Sequence, residues 1–153
     1  MAKEIERKFL VHREKLDLKG TGKALKQAYL TNEISKSIRI RIADQSAFLT
    51  IKSGSKGLVR SEYEYEIPLD DANEMLELCE PNFIDKHRHL VNYGKHTWEI
   101  DVFHGENEGL IVAEIELESE EEYFEKPVWL GEEVTDDTRY LNAALVKHPY
   151  SKW

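Results

Sequence analysis

Alternation of charged and apolar side chains with a period of two is the feature that most constrains the fold of this chain. Residues 4–9 read Glu-Ile-Glu-Arg-Lys-Phe, and residues 38–42 read Ile-Arg-Ile-Arg-Ile. Because successive residues of a strand point to opposite faces, this pattern predicts strands with one charged and one apolar face. Similar segments recur along the chain between turn residues, which is typical of an antiparallel β protein.

About eight segments fit this pattern, and they set the expected order of elements. The strands are predicted at residues 3–11, 25–31, 37–42, 46–53, 59–67, 82–91, 95–102 and 111–118. Turn residues at 44–46, 54–57, 92–95 and 105–109 predict hairpins between several neighbours. Helices are predicted at 70–79, at 119–122, and from Thr135 until Pro149 ends the last one.

Length and composition exclude several classes of protein. A chain of 153 residues can bury one core, so we expect a single domain over residues 1–153. Its one cysteine, Cys79, offers neither a disulfide partner nor a zinc-ligand spacing. A formal net charge of −9 argues against a nucleic-acid partner. Without a long apolar run or a signal-like N-terminus, no membrane association and a cytoplasmic location are expected.

The charges are sorted by sign from one strand to the next. Acids share a face at Glu62/Glu64/Glu66, at Glu99/Asp101 and at Glu114/Glu116/Glu118, whereas bases share one at Arg39/Arg41 and at Lys86/Arg88. Glu4, Glu6 and Lys8 share a face that carries charges of both signs. Thr50 and Lys52 share a face of another strand. Like charges clustered on a sheet are unfavourable unless an opposite charge lies between them. The pattern therefore suggests cations among the carboxylates and an anion among the bases.

Two arrangements of these faces remain open. In ordinary antiparallel sheets the charged face meets solvent and the apolar face packs on the core. About eight strands can also close into a barrel, whose charged faces would line the interior if the apolar faces lay outside beneath a few helices. Trp98, Phe124 and Trp129 would then contribute to the outer cover.

A charged barrel interior would suit a polyphosphate and its metal ions. Paired arginines present planar donors to neighbouring phosphate oxygens, and lysines add point charges. Carboxylates are ligands that Mg²⁺ or Mn²⁺ accepts together with water and phosphate oxygens. Other chemistry is poorly supported, because the chain has no glycine-rich phosphate loop and no nucleophile elbow. His87 and His89 are expected to point outward, opposite Lys86 and Arg88.

These motifs resemble the CYTH superfamily, also called the triphosphate tunnel metalloenzymes. The Glu4-Ile5-Glu6-Arg7-Lys8 segment matches the E-x-E-x-K signature of that family near its N-terminus. The remaining matches, in order, are Arg39-x-Arg41, Lys52, Glu62-x-Glu64, Lys86-x-Arg88, Asp101, Glu114-x-Glu116, and Arg139 beside Tyr140. The resemblance spans nearly the whole chain.

The resemblance implies an eight-stranded antiparallel β-barrel with a charged interior and a few covering helices, a mainly β fold. The residues that it implies for phosphate binding are Lys8, Arg39, Arg41, Lys52, Lys86, Arg88 and Arg139. The residues that it implies for a first Mg²⁺ or Mn²⁺ ion are Glu4, Glu6, Glu114 and Glu116. Glu62 and Glu64 would hold or orient a second ion, and Asp101 is also placed with the metal-binding acids. A Lys–Tyr pair that activates the nucleophile would be Lys86 and Tyr29, although Ala28 stands where the family motif usually has glycine.

The same resemblance leaves the reaction open among several triphosphate chemistries. Short single-domain members of the family that begin with this motif resemble inorganic tripolyphosphatases. Hydrolysis of tripolyphosphate is therefore the first expectation for this chain. An adenylate cyclase and a nucleoside or thiamine triphosphatase are the alternatives within the family. Two further possibilities are a polyphosphate-binding module and a structural barrel without a ligand. The expected partner is a small-molecule triphosphate, and the protein is expected to be a monomer or a homodimer.

Overall fold

The computed structural model describes residues 3–33, 35–53, 59–79 and 82–153, which form a mostly β structure. Its strands are β1 (Lys3–Val11), β2 (Lys23–Glu33), β3 (Lys36–Ala43), β4 (Ser46–Ser53), β5 (Val59–Ile67), β6 (Ile84–Tyr93), β7 (His96–Phe103), β8 (Ile111–Glu116) and β9 (Leu130–Glu133). Its α-helices are α1 (Leu69–Leu76) and α2 (Asn142–Lys147).

The first eight strands close into an antiparallel barrel. Their order is β5-β4-β3-β2-β6-β7-β8-β1, and β1 also pairs with β5. The closing contact is short, because Lys3 to Ile5 pair with Ser61 to Val59 before β1 diverges from β5. Further along β1, the same edge pairs with β9. The predicted closed eight-stranded barrel is confirmed.

Two local predictions differ from the structure, and one strand was not predicted. Residues 119–122 form a turn and not a helix, because Glu122 Oε1 accepts the Glu118 backbone N–H at 2.6 Å and satisfies it locally. The last helix does not begin at Thr135. Instead Asp137 caps a 3-10 turn at Thr138–Tyr140, and α2 follows it. The strand β9 was not predicted, and the turn at 54–57 lies outside the described residues.

The apolar faces of β1, β7 and β8 lie on the outside of the barrel beneath the segment that follows β8. Trp98 is fully buried there, with its ring 5.7 Å from Phe9 and 5.5 Å from Trp129 between centroids, both edge to face. Phe124 packs against Trp98 in the same cluster. Such aromatic pairs add stability beyond the area that they bury. The predicted outer cover is confirmed.

Helix α1 covers another part of the outer surface. Its Ala72 is fully buried against Ile40 of β3 and Ala47 of β4. Because Ile40 points outward, its neighbours Arg39 and Arg41 point into the barrel. The arrangement with apolar faces outside and charged faces inside is therefore the one adopted.

The C-terminal segment lies against one end of the barrel interior. Leu145 and Val146 of α2 pack with Ile84, Phe103 and Val112, which share the inward face of their strands with the charged residues. This end of the barrel is apolar and filled.

Inward-pointing side chains hold this segment in place by three hydrogen bonds. Lys8 Nζ donates to the Tyr140 carbonyl at 3.1 Å, Asn32 Nδ2 to the Ala143 carbonyl at 2.9 Å, and Lys86 Nζ to Asn142 Oδ1 at 3.2 Å. The segment therefore forms one wall of the remaining cavity. Within the described residues, the structure contains no helix long and apolar enough to cross a membrane.

Candidate functional site in the barrel cavity

The charged part of the barrel interior encloses a cavity of about 470 Å³. Its walls come from all eight strands of the barrel and from the C-terminal segment. Charged side chains dominate its lining: Glu4, Glu6, Lys8, Glu33, Arg39, Arg41, Lys52, Arg60, Glu62, Glu64, Arg88, Glu99, Glu114 and Glu116. Tyr29, Ser37, Leu90, Thr97, Leu141, Asn142 and Ala143 complete the lining.

Strand order divides this cavity into an acidic and a basic sector. The acids lie mainly on β7, β8, β1 and β5, which are consecutive around the barrel. Arg39 and Arg41 on β3 and Arg88 on β6 flank β2 on the other side. The two sectors therefore face each other, and a ligand with both a cation and an anionic chain would meet groups of opposite charge on each side.

Carboxyl groups in the acidic sector contact one another. Burial, and then a hydrogen bond with the Glu62 carboxyl group, raise the pKa of Glu4 to about 7. Burial and the nearby charge of Glu114 likewise raise the pKa of Glu6 well above its usual range. Burial opposes ionisation of Glu114, but the charges of Lys8 and Arg88 lower its pKa to about 2. The carboxyl groups of Glu6 and Glu114 thus lie close together, and a bound cation would relieve their mutual repulsion.

Arginines crowd together in the basic sector. Burial, and then the charges of Arg39 and Arg88, lower the pKa of Arg41 to about 10. Arg41 Nε donates to Gln27 Oε1 at 2.6 Å, which fixes its position. The Arg39 side chain is also buried, and its Nε has no hydrogen-bond partner among the described residues. An anion would offset both the mutual repulsion and the missing bond.

Hydrogen bonds tie the two sectors together at their borders. Arg39 Nη2 donates to Thr50 Oγ1 at 3.1 Å, and Thr50 Oγ1 donates to Glu64 Oε2 at 3.0 Å. Lys52 Nζ lies 3.3 Å from Glu4 Oε1 and 4.0 Å from Glu62 Oε1. These bonds fix the long basic side chains before a ligand arrives, which lowers the entropy that binding costs.

Behind the cavity wall, Asp101 joins Lys86 and Arg88. Lys86 Nζ donates to Asp101 Oδ2 at 2.7 Å, and Arg88 makes a two-pronged contact with both Asp101 oxygens. Burial lowers the pKa of the fully buried Lys86 ammonium to about 7 despite this contact. Although burial opposes its ionisation, the charges of Lys86 and Arg88 hold the pKa of Asp101 far below its usual range. Asp101 thus fixes the arginine that enters the cavity.

The structure brings most of the predicted site residues to the cavity. These are Glu4, Glu6, Lys8, Tyr29, Arg39, Arg41, Lys52, Glu62, Glu64, Arg88, Glu114 and Glu116. Lys86 and Asp101 lie behind the wall, where Lys86 bonds Asp101 and Asn142 rather than Tyr29. Arg139 is on the surface, where it pairs with Asp137 and its guanidinium carbon lies 4.6 Å from the centroid of the Trp153 ring. The predicted roles of these residues stay predictions.

Four charged or amide side chains of the lining were not among the predicted site residues: Glu33, Arg60, Glu99 and Asn142. Arg60 and Glu99 carried a detectable signal, because each lies two residues from a predicted inward-pointing acid on the same strand. Arg60 also has a buried Nε without a partner among the described residues. Asn142 and its C-terminal segment carried no such periodic signal.

The residues of the acidic sector fit a divalent cation by their chemistry. Hard carboxylate oxygens from three strands converge there, and burial together with neighbouring carboxyl groups raises the pKa of Glu4 and of Glu6, so a cation between them would favour their charged forms. No three acid, histidine or cysteine side chains of the described chain already form a ready-made cage. Mg²⁺ requires no such cage, since it usually binds one or two carboxylates together with water and substrate phosphates.

Comparisons with known proteins agree with this geometry. Residues 2–149 match the CYTH domain family. The chain is 48% identical to an inorganic triphosphatase of Acetivibrio thermocellus over 154 aligned positions, which cover 100% of this chain and 99% of that protein. It is 39% identical to an inorganic triphosphatase of Nitrosomonas europaea, with 93% of this chain and 95% of that protein covered.

A solved structure supports the same relationship. The crystal structure of an inorganic triphosphatase aligns with a TM-score of 0.67 and 35% sequence identity over 95% of each chain. A match over nearly the full length at this identity is a family relationship and not only a shared barrel. The chain therefore belongs to the CYTH family.

Proposed function

We propose that this protein is an inorganic triphosphatase that hydrolyses tripolyphosphate in the barrel cavity with the help of a divalent metal ion. The observation that carries the proposal is the division of one cavity into an acidic and a basic sector that face each other. The names of the two full-length relatives support the choice of substrate.

The basic sector would bind the phosphate chain. Arg39 and Arg41 stand two residues apart on β3, so their planar guanidinium groups can donate to oxygens of neighbouring phosphates. Arg88 approaches from β6, and Asp101 fixes its orientation. Lys8 and Lys52 add positive charge at the border with the acids. The arrangement orients the substrate before reaction, which removes entropy from the barrier.

The acidic sector would hold Mg²⁺ or Mn²⁺. Glu4, Glu6, Glu114 and Glu116 on β1 and β8 would hold one ion, and Glu62 and Glu64 on β5 would hold or orient a second. When bound, such an ion neutralises charge on the phosphates and makes a water molecule more acidic. The protein's own contribution is to place these carboxylates opposite the arginines.

Removal of a proton from the attacking water favours a group whose pKa lies near neutrality. We propose that Tyr29 and Lys86 assist the activation of this water: Tyr29 lines the cavity, whereas Lys86, whose pKa is lowered to about 7 by burial, lies behind the wall, so that only Tyr29 would contact the water. Burial raises the pKa of Tyr29, so its hydroxyl would stay protonated and could donate a hydrogen bond to a ligand in the cavity. Tyr29 would therefore orient the water or a phosphate rather than act as a base.

Hydrolysis can be tested by incubation of the purified protein with tripolyphosphate or ATP, in Mg²⁺ or Mn²⁺, with phosphate and cyclic AMP both measured. We expect metal-dependent release of phosphate from tripolyphosphate, slower turnover of ATP, and loss of activity in a Glu4→Gln/Glu6→Gln variant. Cyclic AMP as the main product would move the assignment to an adenylate cyclase. Binding of tripolyphosphate without turnover would favour a polyphosphate-binding module.

A further inference from the structure

Asn142 reaches the cavity from the C-terminal segment, the one part of the wall formed by described residues that does not belong to a barrel strand. Its Oδ1 accepts a hydrogen bond from Lys86 Nζ at 3.2 Å. Lys86 itself is fully buried and also donates to Asp101. Asn142 therefore connects the buried Lys86–Asp101 pair with the cavity.

The contact with Lys86 fixes which way the Asn142 amide is turned. An ammonium group only donates hydrogen bonds, so the amide oxygen must face Lys86. The amide nitrogen, on the other branch of the planar group, then points away from Lys86. Within the described chain, Asn142 Nδ2 donates a hydrogen bond to no other protein group. A donor is thus left for a ligand in the cavity.

Bonds on both sides of Asn142 hold its backbone. Lys8 Nζ donates to the Tyr140 carbonyl and Asn32 Nδ2 donates to the Ala143 carbonyl, at 3.1 and 2.9 Å. Both donors come from barrel strands, so the short segment between them is fixed to the same frame as the arginines. A donor held in this way loses little entropy when it binds.

Neutrality makes this donor different from the surrounding cations. Arg88 lies against Asp101 and Glu99, and Lys52 lies against Glu4, so a phosphate must compete with carboxylates for these groups. Among the described residues, no carboxylate pairs with the Asn142 amide. It can contribute a hydrogen bond to a charged oxygen, which is stronger than one between neutral groups.

We propose that Asn142 is a substrate-binding residue whose Nδ2 donates to a phosphate oxygen of the triphosphate, while its Oδ1 remains on Lys86. This inference rests on the proposed function, because it deepens the description of the same site. It assigns to the C-terminal segment a direct part in binding and not only the closure of the barrel end.

Two substitutions separate this role from a structural one. Asn142→Asp keeps an acceptor for Lys86 but replaces the donor with a negative charge, and Asn142→Ala removes both contacts without adding charge. We expect the melting temperature of unliganded Asn142→Asp to equal or exceed that of the wild type. For both variants, kcat/KM for tripolyphosphate should fall about tenfold or more, as expected for loss of one hydrogen bond to a charged group.

Binding is followed independently of turnover by the rise in melting temperature that tripolyphosphate causes, without metal and with Mg²⁺. The rise should shrink in both variants relative to the wild type. Wild-type kinetics and a wild-type rise in Asn142→Asp would overturn the proposal. The proposal would also be overturned if kcat/KM and the ligand-induced rise fell only in Asn142→Ala and the unliganded variant melted at a lower temperature. That outcome would mean that Asn142 stabilises the fold and does not contact the substrate.

The wild type measured in parallel separates this inference from the proposed function. If the wild type binds tripolyphosphate without hydrolysing it, the proposed reaction fails, but the two variants still decide the role of Asn142. If the wild type neither binds nor hydrolyses tripolyphosphate, both conclusions fail together.

Discussion

Asp101 holds Arg88 by two parallel hydrogen bonds, with Arg88 Nε 2.8 Å from Oδ1 and Arg88 Nη2 2.9 Å from Oδ2. Lys86 donates to the same carboxylate from the other side. Asp101 is 2% exposed, so its charge is balanced by these two cations and not by solvent. The sequence alone grouped Asp101 with the metal ligands, whereas the structure places it behind Arg88, which lines the cavity.

Asp101→Asn should therefore weaken substrate binding more than metal binding. Removal of the buried charge leaves Lys86 and Arg88 without their partner, and we expect the free energy of unfolding to fall by about 3 kcal/mol. The KM for tripolyphosphate should rise because Arg88 is no longer fixed. Urea unfolding and steady-state kinetics measure the two effects. If the metal concentration for half-maximal activity rises instead while KM stays unchanged, Asp101 is a metal ligand.

Glu4 should make the metal-free protein less stable as the pH rises from about 5 to 7. Its pKa is about 7 in the folded protein against an ordinary value of 4.5, so the folded state binds more protons than the unfolded state in this window. The free energy of unfolding then falls as pH increases, by up to about 3 kcal/mol. Urea unfolding in the presence of a chelator, at several pH values, measures the change.

Glu4→Gln is the matched control for this pH dependence. The amide can keep the hydrogen bond to Glu62 but does not titrate, so the difference in stability between pH 5 and pH 7 should shrink. Burial lowers the pKa of Lys86 to about 7, so this group makes the free energy of unfolding rise with pH, but only above pH 7 and therefore outside this window. An unchanged pH dependence in Glu4→Gln would mean that Glu4 is ionised in the folded protein throughout.

Arg41 should be more important for the ligand than for the empty protein. Burial and the charges of Arg39 and Arg88 disfavour its ionised form, and a bound anion would relieve this. We expect Arg41→Gln to keep or slightly raise the melting temperature of the unliganded protein and to lose most of the stabilisation by tripolyphosphate. Thermal unfolding with and without tripolyphosphate tests both expectations.

Arg7→Gln provides a charge-matched control, since Arg7 bonds Glu133 on the outside of the barrel. Its response to tripolyphosphate should equal that of the wild type. An equal loss in both variants would show that total charge, and not the position of Arg41, decides the response.

Arg139→Ala tests a residue that the family pattern places in the phosphate-binding set and the structure places on the surface. The Arg139 side chain is 59% exposed and bonds Asp137, two residues away. We expect kcat/KM for tripolyphosphate to change by less than about threefold, because an exposed ion pair contributes little. A loss of tenfold or more would require Arg139 to reach the cavity when the substrate binds.

The sequence predicted the barrel because its signal is local. Period-two alternation fixes which residues of a strand share a face, and the sorting of charge by strand indicated that these faces meet around a ligand. The orientation could not be decided from this pattern alone, since a solvated charged face has the same period. The clusters around Trp98 and Ala72 decide it in the structure.

Features that depend on distant contacts were not predictable in this way. Strand β9 has only four residues and exists because it pairs with β1. The C-terminal segment lies against the barrel interior because Lys8, Asn32 and Lys86 donate hydrogen bonds to it. Such contacts have no periodic pattern in the sequence that would predict them. For the same reason, the sequence pattern placed Asp101 and Lys86 at the cavity when they lie behind its wall.

We expect the acidic sector to bind metal and the basic sector to bind the phosphate chain. Paired titrations of Glu6→Gln and Arg39→Ala, with metal varied at fixed tripolyphosphate and then the reverse, test it most directly. We predict that Glu6→Gln raises the metal concentration for half-maximal activity about tenfold or more, whereas Arg39→Ala raises KM for tripolyphosphate by a similar factor and leaves the metal response almost unchanged. Wild-type values of both quantities in both variants would contradict the assignment of this cavity as the active site.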